Sequence, residues 1–159
     1  MAYPDEDTPL LLLLVVAERH MVNALQEHLV TAGFHDHRAV HHTVMAHVTH
    51  DGIRTTELAQ RAGVTKQAMS ELVRDLVALG YLQTKPDPHD GRAKLITFSE
   101  RGQRAVDVAM SAFDAMEEAL GKRIGPQALL SLRRILVRLL DTSLAPPAVR
   151  SGSDSGHGV

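Results

Sequence analysis

The stretch KPDPHDGRAKLIT, Lys85–Thr97, places a polar loop with two prolines and a glycine directly before an apolar run. Apolar segments border this loop, GYLQT on its N-terminal side and AKLITF on its C-terminal side. Two short apolar segments joined by turn residues predict a β-hairpin, here at about Tyr81–Phe98. A helical pattern ends at Gly80, immediately before the hairpin. Because a hairpin beside a helix can grip DNA, this stretch raises the hypothesis of a nucleic-acid-binding protein.

Two helical patterns separated by a tight turn precede the hairpin. The first, TTELAQRAG, has Thr55 or Thr56 as its predicted cap and stops at Gly63. The second, VTKQAMSELVRDLVALG, has Thr65 as its predicted cap and stops at Gly80. The turn AGVT lies between them. A helix, a glycine-containing turn and a second helix together form a helix-turn-helix signature.

The second of these helices has an apolar and a polar face. Its apolar side chains recur at helical spacing and are predicted to pack inward: Met69, Leu72, Val73, Leu76 and Leu79. Its polar side chains share the opposite side: Lys66, Gln67, Ser70 and Arg74. Glutamine can pair with adenine and arginine with guanine, while lysine and serine suit phosphates or base edges. Free N–H groups near Thr65 also favour a phosphate. An ordinary solvated helix face has the same pattern, so both interpretations stay open on this evidence.

Charged side chains at the predicted hairpin form a second set of candidate DNA contacts. Arg92 is predicted at the turn, where it could enter a minor groove, and Asp90 could hold it in place. Lys85 and Lys94 flank the strands and could reach backbone phosphates. The alternative is a local surface ion pair between Asp90 and Arg92, which would contribute little to stability.

Length and composition favour one mainly helical domain. The chain has 159 residues, about one domain, and with 3% aromatic residues and no Trp its core must consist of Leu, Val and Ala. The absence of Cys excludes disulfides and thiolate zinc sites and is compatible with a cytoplasmic protein. The net charge of −2 counts mildly against a nucleic-acid binder. From Thr55 to Arg104, however, eight Lys and Arg stand against six acidic residues.

Long helices are predicted on both sides of this central module. The first begins at Thr8-Pro9 and ends at Gly33. Its apolar start LLLLLVVA has eight residues, too few for a membrane span of ~20. We expect this start to be buried on all sides. A second helix is predicted from Asp36 to about His50, before the break at Asp51-Gly52.

Two further helices follow the hairpin. Ser99 is the predicted cap of a long helix that ends near Lys122, and Gly125-Pro126 starts a last helix with a leucine-rich stripe. Segments 8–33 and 99–143 are more apolar than one small module requires, so we expect them to pack against a second copy of the chain. The alternative is that they only cover the module's own core. Residues 145–159 are rich in Pro, Gly and Ser and are predicted to be disordered.

The segment TELAQRAGVTKQAMSELVRDLVALGYLQTKPDPHDGRAKLITFSERGQ, Thr56–Gln103, resembles the MarR family of winged helix-turn-helix transcriptional regulators. The matching motifs are the ELA helix, the GVTKQAMSELV recognition helix and the LGYL entry to the hairpin, or wing. They include the family's Asp-x-Arg at the wing, here Asp90-Gly91-Arg92, followed by a strand and by Ser99. Outside this segment the chain matches the family only in pattern.

The resemblance implies a mainly α fold with a small β-hairpin wing. Residues 1–144 would form one domain, with a DNA-binding lobe at about 36–98 and dimerisation helices at about 8–33 and 99–143. It further implies a homodimer on a pseudo-palindromic DNA operator, with half-sites about one helical turn (~10 bp) apart. Most members repress transcription, and many release DNA when a small, often aromatic or anionic compound binds between the dimerisation helices and the DNA-binding lobe.

A cluster of histidines departs from the family pattern. Eight of the ten histidines lie between His20 and His50. On a helix over residues 36–50, His37 and His41 would lie beside a valine stripe, His47 at its other edge, and His42 and His50 would point away. One interpretation is half-buried histidines that are hydrogen-bonded to the backbone or to each other. A second is an effector pocket in which His20, His37, His41 or His47 binds an organic anion. A third is a metal-sensing site, since an i, i+4 histidine pair has ligand-like spacing.

Other function classes are weaker. The sequence has no HExxH, no GxSxG and no phosphate-cradling glycine loop, so a metalloenzyme or another enzyme is not indicated, and no cofactor is expected. A dimeric interaction protein that kept the winged-helix fold but lost DNA binding is the remaining alternative. A DNA-binding repressor whose affinity is set by a ligand is the leading hypothesis.

Overall fold

The computed structural model describes residues 5–141, which contain six α-helices and one small antiparallel sheet. The mainly α architecture with a β-hairpin wing is therefore confirmed. The predicted disordered tail at 145–159 lies outside the described residues. By internal contacts the chain divides into two units, residues 1–118 and residues 119–159, with the division inside a helix.

Helix α1, Leu10–Thr31, begins after Pro9, which serves as its N-cap instead of its first residue. Gly33 follows the helix with φ 94°, so the predicted glycine stop is confirmed. Only its C-terminal half reaches the core, through Leu25 and Leu29. The start of the helix is exposed in the single chain, where Leu11 has 71% of its maximal solvent-accessible surface. The prediction that this start is buried on all sides is therefore wrong for one chain alone.

The predicted helix from Asp36 to His50 is absent. In its place a 3₁₀ turn, Ala39–His41, leads into the single helical turn α2, His42–Met45. The segment is rich in histidine and β-branched residues, which are weak helix formers. The imidazole of His41 also accepts a hydrogen bond from the backbone N–H of Arg38 at 3.1 Å, which favours the tighter turn.

The helix-turn-helix consists of α3, Thr55–Arg61, and α4, Lys66–Ala78. Thr65 caps α4 as predicted, since its Oγ1 accepts the Ala68 N–H at 3.2 Å. The predicted threonine cap of α3 is wrong, because Arg54 occupies the N-cap position and makes no side-chain cap bond there. The reason is a short strand that runs directly into α3.

That strand, β1 (Ile53–Arg54), completes a three-stranded sheet with β2 (Leu82–Asp87) and β3 (Asp90–Phe98) in the order β1-β3-β2. Leu82 pairs with Phe98 and Ile53 with Ile96, so the hairpin is closed at its base by apolar pairs. The sequence predicts the hairpin correctly but not β1, since two residues carry no periodic signal.

Helix α5, Glu100–Ile124, begins at the predicted place and ends two residues beyond the predicted Lys122. Ser99 caps it by accepting the Gly102 N–H at 3.0 Å. The core of residues 1–118 lies between α1, the helix-turn-helix, the sheet and this helix; its most deeply buried apolar side chains include Leu29, Val44, Leu58, Met69, Leu76 and Tyr81.

Helix α6, Pro126–Leu140, belongs to the second unit. Gly125, at φ 87°, precedes it and Pro126 opens it, as predicted. It is strongly amphipathic yet contains no buried residue, and Leu140 is 85% exposed. No helix within residues 5–141 is long and apolar enough to cross a membrane.

Candidate nucleic-acid interface and histidine cavity

The outer face of α4 carries the predicted base-reading side chains. Lys66, Gln67 and Arg74 are exposed, and Ser70 is half-buried with its Oγ donating to the Lys66 carbonyl at 2.7 Å. Gln67 makes one long contact, 3.4 Å, to Glu71 on the same face. The opposite side holds Met69, Val73 and Leu76 in the core, with Leu72 and Leu79 packed against it, as predicted. Packing therefore directs the polar side chains toward solvent, where a ligand of the size of DNA could reach them.

The wing differs from its prediction at the tip. The turn lies at Pro88-His89, so the placement of Arg92 at the turn is wrong. Asp87 pairs with Asp90 while Pro86 pairs with Lys94, which leaves Gly91, Arg92 and Ala93 without cross-strand partners. Arg92 thus lies in an irregular bulge of β3 and is exposed.

Asp90 holds this bulge through the backbone. Its Oδ1 accepts the Arg92 N–H at 3.1 Å, an Asx-type contact that fixes the direction of the chain at Arg92. The guanidinium of Arg92 makes no ion pair with a described residue, so the local Asp90–Arg92 pair is not formed. Lys85 and Lys94 are exposed on the two strands. The wing accordingly presents three cations to solvent.

Sequence reasoning missed the residue that anchors the wing. Arg54, in β1, donates from Nε and Nη2 to Oδ2 of Asp87 at 2.7 and 2.6 Å. Asp87 Oδ1 accepts the His89 N–H at 2.8 Å, and its side chain is 5% exposed. The His89 amide and the Arg54 guanidinium hold the pKa of Asp87 below its usual value. An Arg 33 positions from its carboxylate gives no local sequence signal.

The histidine cluster has two parts. His41 is fully buried: its Nδ1 accepts the Arg38 N–H, and its Nε2 lies 3.0 Å from Oδ2 of Asp75, on α4. Because a backbone N–H can only donate, Nδ1 carries no proton and Nε2 donates to Asp75. That hydrogen bond, with one from Arg38, lowers the pKa of Asp75. His41 thus connects the segment before α2 to α4 through Asp75.

The second part borders a cavity of about 390 Å³ between α1, α2 and α5. Its wall is mostly apolar, formed among others by Leu25, Leu29, Met45, Phe98, Met110 and Phe113. Its polar side chains are His37 and His42, whose rings lie 4.8 Å apart. Burial, with repulsion from His42 and His41, lowers the pKa of His37 to about 4.

The structure places only one of the four predicted ligand-binding histidines in the cavity wall. His37 lines the cavity, whereas His20 is exposed on α1 and neither it, His41 nor His47 lines the cavity wall. His42, predicted to point away, does line it, and that orientation was wrong because residues 36–50 are not one continuous helix. Among residues 5–141 no three His, Asp or Glu side chains converge as metal ligands would.

Comparisons with known proteins agree with this geometry. A model of the MarR family matches residues 33–93, the helix-turn-helix and most of the wing. The transcriptional regulator PetP of Rhodobacter capsulatus is 25% identical over 111 residues, 69% of this chain and 67% of PetP.

Solved structures match nearly the whole fold. The reduced form of E. coli MarR superposes with a TM-score of 0.71 at 21% identity, covering 86% of this chain and 99% of that one. Staphylococcus aureus MepR, solved as a complex with DNA, gives a TM-score of 0.66 at 22% identity, with 85% and 98% covered. The chain therefore has the winged helix-turn-helix fold of E. coli MarR and S. aureus MepR, and its residues 33–93 match the model of the MarR family.

Proposed function

We propose that this chain is a homodimeric repressor that binds a pseudo-palindromic DNA operator and is released from it by a small molecule. The observation that carries the proposal is the pairing of an exposed polar face on α4 with an exposed, anchored wing in one lobe. Gln67, Ser70 and Arg74 would read base edges in a major groove. Arg92 would enter the adjacent minor groove.

Phosphate contacts would position the lobe. Lys66, Lys85 and Lys94 are exposed beside these reading residues, and Thr65 lies at the N-terminal end of α4, where backbone N–H groups favour an anion. MepR, a structural relative, is solved with DNA bound. The same docking mode in this chain would place α4 across the groove and the wing along the backbone.

Dimerisation is supported by apolar surface that one chain leaves exposed. Helix α1 exposes Leu10, Leu11, Leu12, Val15 and Met21, and α6 exposes Leu130, Leu132, Ile135, Val137 and Leu140. Exposed apolar patches of this kind mark protein interfaces. A symmetric dimer would present two recognition helices to half-sites about one helical turn apart, ~10 bp.

Ligand release is supported by the position of the cavity. Its wall includes His37 and His42, and His37 packs against His41, whose partner Asp75 lies on α4 next to Arg74. A ligand in the cavity would therefore contact His37, whose neighbour His41 is hydrogen-bonded to the recognition helix. Repression follows if the operator overlaps a promoter.

The test is a titration of the protein onto DNA from upstream of its own gene, at several salt concentrations. We expect one tight site per dimer, occupied with a stoichiometry of two chains. Its affinity should fall steeply with salt, because Lys and Arg displace counterions from phosphates. A scrambled fragment of equal length is the matched control and should bind only weakly.

Two results would contradict the proposal. Weak binding of equal strength to every fragment would indicate a dimeric interaction protein that retains only the fold. A single chain in sedimentation experiments, at the concentration where DNA binds, would exclude a symmetric dimer. Transcription from the bound promoter, measured in vitro with and without protein, decides between repression and activation.

A further inference from the structure

The start of α5 holds the backbone at the point where the recognition helix, α4, ends. Leu79 is the C-cap residue of α4, and Gly80 follows it with φ 78°. The guanidinium of Arg101 donates from Nη1 to the Leu79 carbonyl. The Ser99 hydroxyl donates to the Gly80 carbonyl, and the Ser99 N–H donates to the Tyr81 carbonyl at 3.0 Å. Three successive carbonyls at this junction are therefore bonded to the N-cap and first turn of α5.

Arg101 is held in this position by two further contacts. Its Nη2 donates to Oδ1 of Asp36 at 2.7 Å, and the same oxygen accepts the Tyr81 hydroxyl at 2.7 Å. The guanidinium carbon lies 4.4 Å from the centroid of the Tyr81 ring, within the range of a cation–π interaction. A planar guanidinium with donors in a rigid fork can bond a carbonyl and a carboxylate at once, which an ammonium group does less well.

The bond to Leu79 differs from the others because it reaches the recognition helix itself. A cation at the C-terminal end of a helix interacts favourably with the free carbonyl groups there. Ser99 bonds the carbonyls of Gly80 and Tyr81, on the β2 side of the turn, whereas Arg101 bonds the α4 side. Gly80 lies between the two sides and has the backbone freedom of a glycine. Arg101 therefore restrains rotation of α4 about Gly80 relative to α5.

A small rotation at this end of α4 has a large effect at the other end, where the predicted base-reading residues begin. The helix has 13 residues and starts at Lys66. At ~1.5 Å per residue it is ~20 Å long, so a rotation of about 10° at its C-terminal end would move its N-terminal end by ~3.5 Å. Successive bases of one DNA strand are about 3.4 Å apart along the axis. A rotation of this size would therefore shift the contacts of α4 by one base pair.

We infer that Arg101 is a positioning residue for DNA recognition. By bonding the Leu79 carbonyl from α5, it sets the angle of the recognition helix and hence the separation of the two half-sites that a dimer reads. Arg101 acts through α4 and not by contact with a base. The inference rests on the proposed homodimer on a two-fold operator, and it deepens that proposal by naming the residue that sets the half-site spacing.

The first test varies the separation of the half-sites. The DNA site bound upstream of the gene is synthesised with its native spacing and with one base pair inserted or removed at its centre, and affinities are measured by fluorescence anisotropy. We expect Arg101→Met to discriminate about tenfold less than the wild type between native and shifted duplexes, since the shifted ones no longer cost it a hydrogen bond to a charged group. An equal loss of affinity on all three duplexes would indicate a general loss of structure and would overturn the inference.

Matched variants separate the geometry of the contact from its charge. Arg101→Lys keeps the positive charge but lacks the fork that bonds Leu79 and Asp36 together, so it should restore only part of the discrimination. Arg104→Met removes the same charge from an exposed position three residues further along α5 and should leave the discrimination unchanged. If Arg104→Met lost as much discrimination as Arg101→Met, net charge and not the bond to Leu79 would set the spacing.

A measurement on the free protein tests the same contact without DNA. The chain contains no cysteine, so Lys66→Cys and Asp114→Cys introduce two specific sites for spin labels, at exposed positions of α4 and α5. Labelled chains are diluted with unlabelled protein, so that distances within one chain are recorded. We expect Arg101→Met to widen the distribution of distances between the labels by about 3 Å, the displacement given by a rotation of ~10°. An unchanged distribution would show that Arg101 does not hold α4.

The two proposals fail separately. A wild-type protein that binds no fragment specifically, or that binds as a single chain, would contradict the proposed function, and the label distances would still decide whether Arg101 positions α4. Specific binding as a dimer, with the same spacing discrimination in the wild type and in Arg101→Met, would contradict the role of Arg101 and leave the repressor function standing.

Discussion

Arg54 and Asp87 connect the strand before the helix-turn-helix to the tip of the wing. Two guanidinium nitrogens lie 2.6 and 2.7 Å from one carboxylate oxygen, and the other oxygen accepts the His89 N–H. The buried side chain of Asp87 therefore holds the turn through both of its carboxylate oxygens. Charge-assisted hydrogen bonds of this kind give geometric definition, and here they define where the wing stands beside α4.

Arg54→Met should loosen the wing without unfolding the lobe. The methionine keeps the length of the side chain but leaves Asp87 held only by the His89 amide. We expect faster hydrogen exchange at the amides of His89 and Arg92, and a DNA affinity reduced by up to about tenfold. The control is Arg61→Met, which breaks the exposed pair with Glu57 on α3. Unchanged exchange in the wing would show that Arg54 does not hold it.

Arg74→Ala should cost ~1–3 kcal/mol of operator binding if the guanidinium makes a bidentate contact to a guanine. The loss should be largest for the native operator and small for scrambled DNA, so specificity falls with affinity. Arg74→Lys should not restore it, because an ammonium lacks the planar fork. Arg104→Ala, an exposed arginine on α5, is the control. An equal loss on every DNA sequence would reassign Arg74 to a phosphate.

Arg92→Ala should weaken operator binding if the guanidinium lies in a minor groove and neutralises the charge of the phosphates that border it. The slope of log affinity against log salt concentration should then fall by about 1. The bulge that presents it is held by Asp90 through a backbone hydrogen bond, so the alanine variant should keep the wing in place. The check is the log–log slope of affinity against salt for both proteins. An unchanged affinity and slope would exclude the wing from DNA binding.

The sequence predicts the elements whose signals are local. Thr65 and Ser99 are both caps recognised from residue type, and the two faces of α4 follow from helical spacing. The predictions that failed depend on distant partners. His41 bonds to Asp75, 34 positions away, and this contact helps a short turn replace the expected helix. The start of α1 was predicted buried because its residues are apolar. An apolar pattern does not say whether the surface that would cover it belongs to the same chain.

Gly102→Ala should destabilise the fold by about 1–3 kcal/mol, the usual cost of forcing extra volume into a packed site. An added Cβ would stand 1.9 Å from the Tyr81 carbonyl oxygen, which is backbone and has little room to move. Gly121→Ala in the same helix is the matched control, since its Cβ would make an ordinary contact, 3.5 Å, with Leu129. That change should stabilise by about 0.5–1 kcal/mol through helix propensity. Equal melting temperatures for the two variants would contradict the close approach at Gly102.

Stability should decline as the pH falls from 6.5 to about 4, because His37 is buried as a neutral imidazole. Its pKa is about 4 in the folded protein, lowered by burial and by His42 and His41 and partly offset by Asp36. The unfolded chain takes up this proton near pH 6.5 and the folded chain does not, so protonation favours unfolding within that window. Above pH 6.5 neither state is protonated at His37, and the effect vanishes. Integrated over the window, the free energy of unfolding should fall by about 3 kcal/mol from this group.

The measurement is urea unfolding of the wild type and of His37→Gln at intervals between pH 4 and 7. His37→Gln should be less stable at pH 7 but should show a shallower decline toward pH 4, since glutamine does not titrate. His35→Gln is the control: His35 is exposed two residues away, so its replacement should leave the decline in place. Subtracting the variant curve from the wild-type curve removes the contribution of the carboxylates, which also titrate near pH 4. Parallel curves for wild type and His37→Gln would mean that the His37 imidazole is protonated in the folded protein. The cavity wall would then carry a positive charge at His37.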